Sequence, residues 1–285
     1  MANLNPNLVW CVHRIRTTFR DAIGNQISGI GTGFWLNVDD HNIFVTNRHN
    51  VDPSIKFPKQ EDLELLSLEI DLRQFVGIGK TTPQTRFFPI EYPSHALHCS
   101  PSADCAILID PVMTGRDVNV FPNGTIIKAE DLVTSQAFDA GLVDPMEPAI
   151  FLGFPGTGGQ HWWDDLWKMP VARQCVLASV PSIPFTNQHV PTKDTVLVSG
   201  LSFSGSSGSP VFLPPRGLAP GGAIQDPDWR PVLLIGLMSG HFWESDATPD
   251  MFRHSGLSYL TRSSAIFELL SSAGLVPLNA LEVEE

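Results

Sequence analysis

Along this chain the apolar residues come in short runs closed by turn formers, among them Ile43-Phe-Val-Thr46, Cys105-Ala-Ile-Leu-Ile109, Thr195-Val-Leu-Val-Ser199 and Pro210-Val-Phe-Leu213. Such runs suit strands and are too short for helices that bury one face over several turns. Glycine and proline number 23 and 24 among 285 residues, and only 17% of residues are charged, so many short elements joined by turns are expected. The pattern predicts an all-β protein. With 42% hydrophobic residues the chain can bury a substantial core, as one large domain or two small ones.

Residues 8–15 read as the first strand, Asp21-Ala-Ile-Gly-Asn25 as a turn, and 33–36 as a hairpin with 43–46 across the polar turn 37–42. Alternation in Leu66-Ser-Leu-Glu-Ile-Asp-Leu72 suits a half-buried strand. Further strands are expected at 105–109, 173–179, 195–199, 210–213 and 232–238. Residues 263–273 carry the one clear helix signal: serine at the start, Ile266, Leu269, Leu270 and Ala273 at helical spacing, and Gly274 at the end. Gly29-Ile-Gly-Thr-Gly33 is no dinucleotide loop, because its third glycine comes one position early and Phe34-Trp-Leu36 continues as a strand.

A net charge of -12 argues against a surface that tracks phosphates, so no nucleic-acid partner is expected. No apolar stretch approaches the roughly 20 residues of a membrane helix, and Met1–Asn7 lacks the features of a secretory signal. The four cysteines, Cys11, Cys99, Cys105 and Cys175, are too few and irregular for a disulfide framework, which favours reduced thiols in a cytoplasmic setting. His95, His98, Cys99 and Cys105 match no paired-ligand spacing, so no metal or other cofactor is expected.

Gly205-Ser-Ser-Gly-Ser-Pro210 sets a hydroxyl, Ser207, among small residues that let the backbone turn sharply. Alone, such a run reads as a flexible loop. A serine becomes a nucleophile at neutral pH when an imidazole takes its proton and a carboxylate orients that imidazole. His49 stands just past a strand end in Val45-Thr-Asn-Arg-His-Asn-Val51, and Asp104 just before a strand in Ala103-Asp-Cys-Ala-Ile-Leu108. Asp71 and Asp110 are rival carboxylates.

The order His, Asp, Ser is that of the chymotrypsin arrangement. With Gly31-Thr-Gly-Phe-Trp-Leu36, the three segments above and Gly236-Leu-Met-Ser-Gly240, the chain resembles a trypsin-like serine protease of the chymotrypsin fold. It is most similar to bacterial HtrA-like and glutamyl endopeptidase-like members, without a PDZ-like extension after residue 273. The likeness spans roughly residues 8–273. It implies two antiparallel six-stranded β-barrels, one over 1–140 carrying His49 and Asp104 and one over 141–285 carrying Ser207, closed by the helix at about 263–273. Ser207 would attack the scissile carbonyl, His49 would act as base and then acid, and Asp104 would orient His49. Gly205 and Ser207 N–H groups would form an oxyanion hole. Asp104 fits the family's Asp-x-Ala-x-Leu pattern, whereas Asp71 and Asp110 do not.

Ser206 replaces the aspartate by which secreted digestive relatives are activated, so activation by a new N-terminus is not expected. Leu201 stands where enzymes cutting after Lys or Arg carry an aspartate. Leu201, Ser202, Ser239, Gly240 and His241 would line the specificity pocket, favouring small or medium apolar side chains, with an acidic side chain read by His241 as second choice. The expected partners are a protein or peptide substrate and an activating protein on which a latent activity waits. A non-catalytic binding module of the same fold is the main alternative. An α/β-hydrolase ranks last, because Gly-x-Ser-x-Gly is absent around Ser207 and helices between strands are missing.

Overall fold

Strands that are apolar on both faces need cover on both sides, and two curved sheets packed against each other supply it. The computed structural model describes residues 4–56, 62–72, 75–77, 80–81, 86–113, 127–156, 159–188, 190, 192–217, 228–245 and 252–275. The first unit contains β1 (Val12–Arg20), β2 (Gln26–Val38), β3 (His41–Thr46), β4 (Glu64–Leu72), β5 (Phe75–Gly77), β6 (Lys80–Thr81), β7 (Arg86–Glu91), β8 (Leu97–Cys99), β9 (Ala106–Ile109), β10 (Val112–Met113) and β11 (Ile127–Lys128). Its main sheet runs β10-β7-β4-β1-β2-β3-β9-β8, with β11 parallel to β2 and β5–β6 as a separate hairpin. The second unit is a closed barrel of β12 (Pro148–Gly153), β13 (Val171–Leu177), β14 (Thr195–Ser199), β15 (Pro210–Leu213), β16 (Leu233–Ser245) and β17 (Phe252–Arg262), in the order β12-β13-β14-β17-β16-β15.

The period of two sorts each strand between two cores. In the first unit Trp35, Phe44, Ala106 and Leu108 join Ile15, Leu68 and Ile70 inside the curled sheet. Their neighbours Phe34, Leu36, Ile43, Val45, Cys105 and Ile107 face the other way and meet Leu152, Phe154, Phe212 and Leu234 from the second barrel. Phe151, Val211, Leu213, Leu233 and Ile235 point into that barrel. The layer between the units is therefore as apolar as either interior. Helix α2 (Ser264–Ser272) seals it with Ala265, Ile266, Leu269 and Leu270.

The 33–36/43–46 hairpin forms in the expected register, Gly33 opposite Thr46 and Leu36 opposite Ile43. Gly33 is required there, since a β-carbon would meet the Phe44 ring at 2.3 Å. Three features differ from the sequence reading. Residues 8–10 belong to a 3-10 turn, Pro6–Trp10, capped by the Asn5 side chain, so the first strand starts at Val12. The N-terminal unit is a nine-stranded curled sheet, not a closed six-stranded barrel, because β10, β7 and β4 extend one edge beyond β1. Strand β17 was not expected at all: its apolar residues are interrupted by His254-Ser-Gly256, yet its ladders to β14 and β16 are both needed to close the barrel. The chain leaves the first sheet at Lys128, and Val133, Ala137 and Phe138 already pack inside the second barrel, with helix α1 at Ser135–Asp139.

Leu234 lies fully buried in the shared layer. Leu234→Ala should cost about 2–5 kcal/mol through lost burial and an unfilled cavity. Urea unfolding followed by tryptophan fluorescence would measure it, as one transition because the layer belongs to both units.

Candidate active site

His49 sits in a single 3-10 turn, Arg48–Asn50, directly after β3, and Asp104 just before β9, the strand hydrogen-bonded to β3. Adjacent strands thus hand the two side chains to one point. The His49 ring meets Asp104 through Nδ1, at 2.8 Å from Oδ2 and 3.0 Å from Oδ1, and the His49 main-chain N–H donates to Oδ1 at 2.9 Å. An Nδ1–H held by Asp104 leaves Nε2 with its lone pair toward the cleft. The rivals are occupied elsewhere: Asp110 pairs with His41 at 2.6 Å and Asp71 with Arg14 at 2.6 Å.

Asp104 is fully buried. Burial by itself pushes its carboxyl up, but the charges of His49 and Lys56 and the hydrogen bonds from His49 outweigh that, holding it well below the ordinary carboxylate range. Burial lowers His49, Asp104 partly restores it, and Lys56 lowers it further, leaving it below its ordinary value. Asn47 braces the arrangement from the other side, donating to the Asp104 carbonyl at 2.7 Å and to Ser239 Oγ at 2.9 Å.

The Ser207 loop is folded against the first unit. Thr32 N–H donates to the Ser207 carbonyl at 2.7 Å, and Thr32 Oγ1 to the Gly205 carbonyl at 2.7 Å. Gly205 and Gly208 adopt φ of 84° and 90°, in the left-handed region. A β-carbon on Gly208 would stand 1.9 Å from the Thr32 carbonyl. The Ser204 carbonyl accepts from Gly156 N–H, and the Ser206 carbonyl from Ser209 N–H. Because a trans peptide points its N–H opposite its C=O, the Gly205 and Ser207 N–H groups are turned away from those partners. Neither has an acceptor among the described residues.

A cleft of about 520 Å³ between the units is lined by His49, Lys56, Gly205, Ser207, Ser239 and His241, among others. Ser202 and Gly240 line it too. Leu201 does not: it is 45% exposed, because Ser202 turns inward to hydrogen-bond Ser258 and Gly240 while its neighbour turns out. Ser207 and His49 share the cleft without a hydrogen bond between them among the described residues.

His241 is a strand residue of the cleft wall. It stacks on His254 with ring centroids 4.7 Å apart and lies 3.4 Å from Ser202 Oγ through Nδ1. Burial, His254 and Lys56 push it down to about 4. Its Nε2 and that of His254 have no hydrogen-bond partner among the described residues. The tryptophan-rich stretch divides: Trp163 is buried against Phe154 and stacks on His161, whereas Trp162 is 52% exposed and leans on Phe203 at the cleft. The sequence reading assigned no role to Thr32 and Asn47, which stand inside the quoted segments 31–36 and 45–51, and passed over Lys56, which stands in none.

His49, His241 and His254 all lie below the ordinary histidine value of 6.5, burial being the largest cause in each. Between their folded values and 6.5 the unfolded chain holds more protons, so stability rises with pH in that window. The urea midpoint should fall on going from pH 7 to pH 5. A midpoint that stays level or rises would contradict the buried, neutral rings.

No family model matches the chain, and no curated protein matches it. Among solved structures it is similar to protease Anisep from Arthrobacter nicotinovorans, with TM-score 0.49 and 12% identity over 92% of this chain and 94% of that one. It is also similar to AL20, a thermostable serine protease from an extremophilic microorganism, with TM-score 0.50 and 11% identity over 94% of this chain and 98% of that one. The architecture is the chymotrypsin-like fold of serine proteases, a closed six-stranded barrel beside a curled sheet.

Proposed function

We propose that the protein is a serine endopeptidase that hydrolyses peptide bonds in protein or peptide substrates through His49, Asp104 and Ser207. The observation that carries this reading is the His49–Asp104 pair in a cleft shared with Ser207 and with two unbonded main-chain N–H groups. Ser207 Oγ attacks the scissile carbonyl carbon as its proton passes to His49 Nε2, and the carbonyl oxygen becomes an oxyanion facing the Gly205 and Ser207 N–H groups. Collapse breaks the C–N bond, and the leaving amine takes the proton from His49. Water, deprotonated by the same ring, then cleaves the acyl ester and restores Ser207. Asp104 holds the Nδ1–H tautomer and stabilises the imidazolium while it lasts.

No Asp or Glu stands among the described residues that line the cleft, so substrates with Lys or Arg before the scissile bond are disfavoured. Ser202, Ser239, Gly240 and His241 favour small or medium apolar side chains, with an acidic one hydrogen-bonded by His241 as second choice. Activity is latent until a protein partner binds, a reading favoured by the lack of a Ser207–His49 hydrogen bond among the described residues. The same unmade hydrogen bond favours the second reading, a non-catalytic binding module of this fold. The four cysteines are free and three are buried, in keeping with a reducing, cytoplasmic setting. No helix among the described residues is long and apolar enough to cross a membrane.

With the activating partner bound, a fluorophosphonate probe should label the wild type and neither Ser207→Ala nor His49→Ala. Where turnover is measurable, each substitution should lower kcat by roughly 10⁶-fold. Labelling that survives Ser207→Ala would place the nucleophile elsewhere, and no labelling with any partner would favour the binding module. In a peptide library, strong cutting after Lys or Arg would overturn the pocket assignment. Robust proteolysis by the purified chain alone would overturn the latency.

A further inference from the structure

Lys56 closes a second 3-10 turn, Pro53–Ile55, beside the one that carries His49, and its side chain runs inward until only 10% is exposed. Its Nζ lies 3.2 Å from Asp104 Oδ2, the same oxygen that His49 Nδ1 meets at 2.8 Å. It also donates to the Ser239 carbonyl and stands 5.5 Å from the Tyr259 ring centroid. One buried carboxylate thus serves both an imidazole and an ammonium. We propose that Lys56 is a positioning residue of the His49–Asp104 pair, whose ammonium shares the carboxylate and makes the neutral ring the state in which the buried site carries no net charge. This rests on the reading of His49 as the proton-accepting group of the cleft.

The charge count is the physical core. With His49 neutral, Asp104 and Lys56 cancel; with His49 protonated, one positive charge is left in a buried place. Without Lys56 the order inverts: a neutral ring leaves a lone buried carboxylate, and a protonated ring neutralises it. A buried site resists net charge because low polarity stabilises it poorly. Lys56 therefore weakens the ring as a resting base and keeps it unprotonated to lower pH, the direction in which its charge acts on His49.

Other groups around the ring do not offer a substitute. Arg48 is turned to Asp52 at 2.7 Å and to the Ser100 carbonyl. Across the cleft, β16 supplies His241 and β17 supplies His254 and Tyr259, with both histidine rings held toward the neutral state by burial. The bond to the Ser239 carbonyl fixes the ammonium on β16. Pro210, the first residue of β15, pairs with Leu237, and Gly208 and Ser209 bond to Met238, so Ser239 lies one residue beyond that ladder. Lys56 thereby ties the turn beside His49 to strand β16 of the second barrel.

The test is the proton titration of the His49 ring by NMR in the full chain, its resonance assigned by loss in His49→Gln. In Lys56→Met the midpoint should rise by about one unit or more, while Lys56→Arg should keep it near the wild-type value. A folded Lys56→Met whose midpoint does not move would overturn the proposal. Should Lys56→Met fail to fold, the wild-type Lys56 ammonium resonance decides: it should shift with the His49 midpoint, and a resonance indifferent to that transition would overturn it. Neither readout requires turnover. If His49 responds but neither wild type nor any variant hydrolyses peptides with any partner, the protease reading fails and the role of Lys56 stands. If the acid limb of kcat/KM moves upward with the midpoint in Lys56→Met, both stand.

Discussion

The buried carboxylate of Asp104 is the interaction on which the site depends. A fully buried anion is tolerated only when surrounded by donors and opposite charge, and breaking such a pair costs about 3–5 kcal/mol. Here the donors come from two turns after β3, those carrying His49 and Lys56, while Asn47 holds the Asp104 main chain. Satisfying the carboxylate therefore fixes the His49 ring, and fixing the ring directs Nε2 into the cleft. The arrangement is at once an electrostatic necessity and a way to orient a base.

That carboxylate can be buried because the layer between the two units is dry. Alternate residues of β2, β3 and β9 face outward from the first sheet as apolar groups, and β12, β15 and β16 answer them from the barrel. The Ser207 loop crosses the same boundary: its Gly205 and Ser207 carbonyls are bonded to Thr32 of the first unit, while Gly208 N–H bonds to Met238 of the second. Packing of the units and conformation of the loop are thus one structural event. A shift of the barrel against the sheet would change where Ser207 stands relative to His49.

Much of this was legible locally. The hairpin, the strands 195–199 and 210–213 and the terminal helix carried their own turn residues and spacing, and the order of His49, Asp104 and Ser207 suggested which side chains converge. Strand β17 was not legible, because its residues 254–256 look like a turn. Leu201 was misplaced in the pocket because inward and outward positions in an irregular segment follow from hydrogen bonds to Ser258 and Gly240. Lys56 was invisible, since a lysine between Ile55 and Phe57 ordinarily reads as a solvated side chain.

By itself the sequence determined the elements and the chemistry available to them: short strands with apolar residues on both faces, a glycine-rich bend holding a hydroxyl, and an imidazole and a carboxylate at strand ends. Strand period and turn propensity are local, so they survive without knowledge of the fold. Only the tertiary structure decided that the first sheet stays open while the second closes, that Asp104 rather than Asp71 or Asp110 meets His49, and that a lysine shares that carboxylate. Those outcomes depend on distances between residues far apart in the chain and on burial, which sets how strongly a charge is felt.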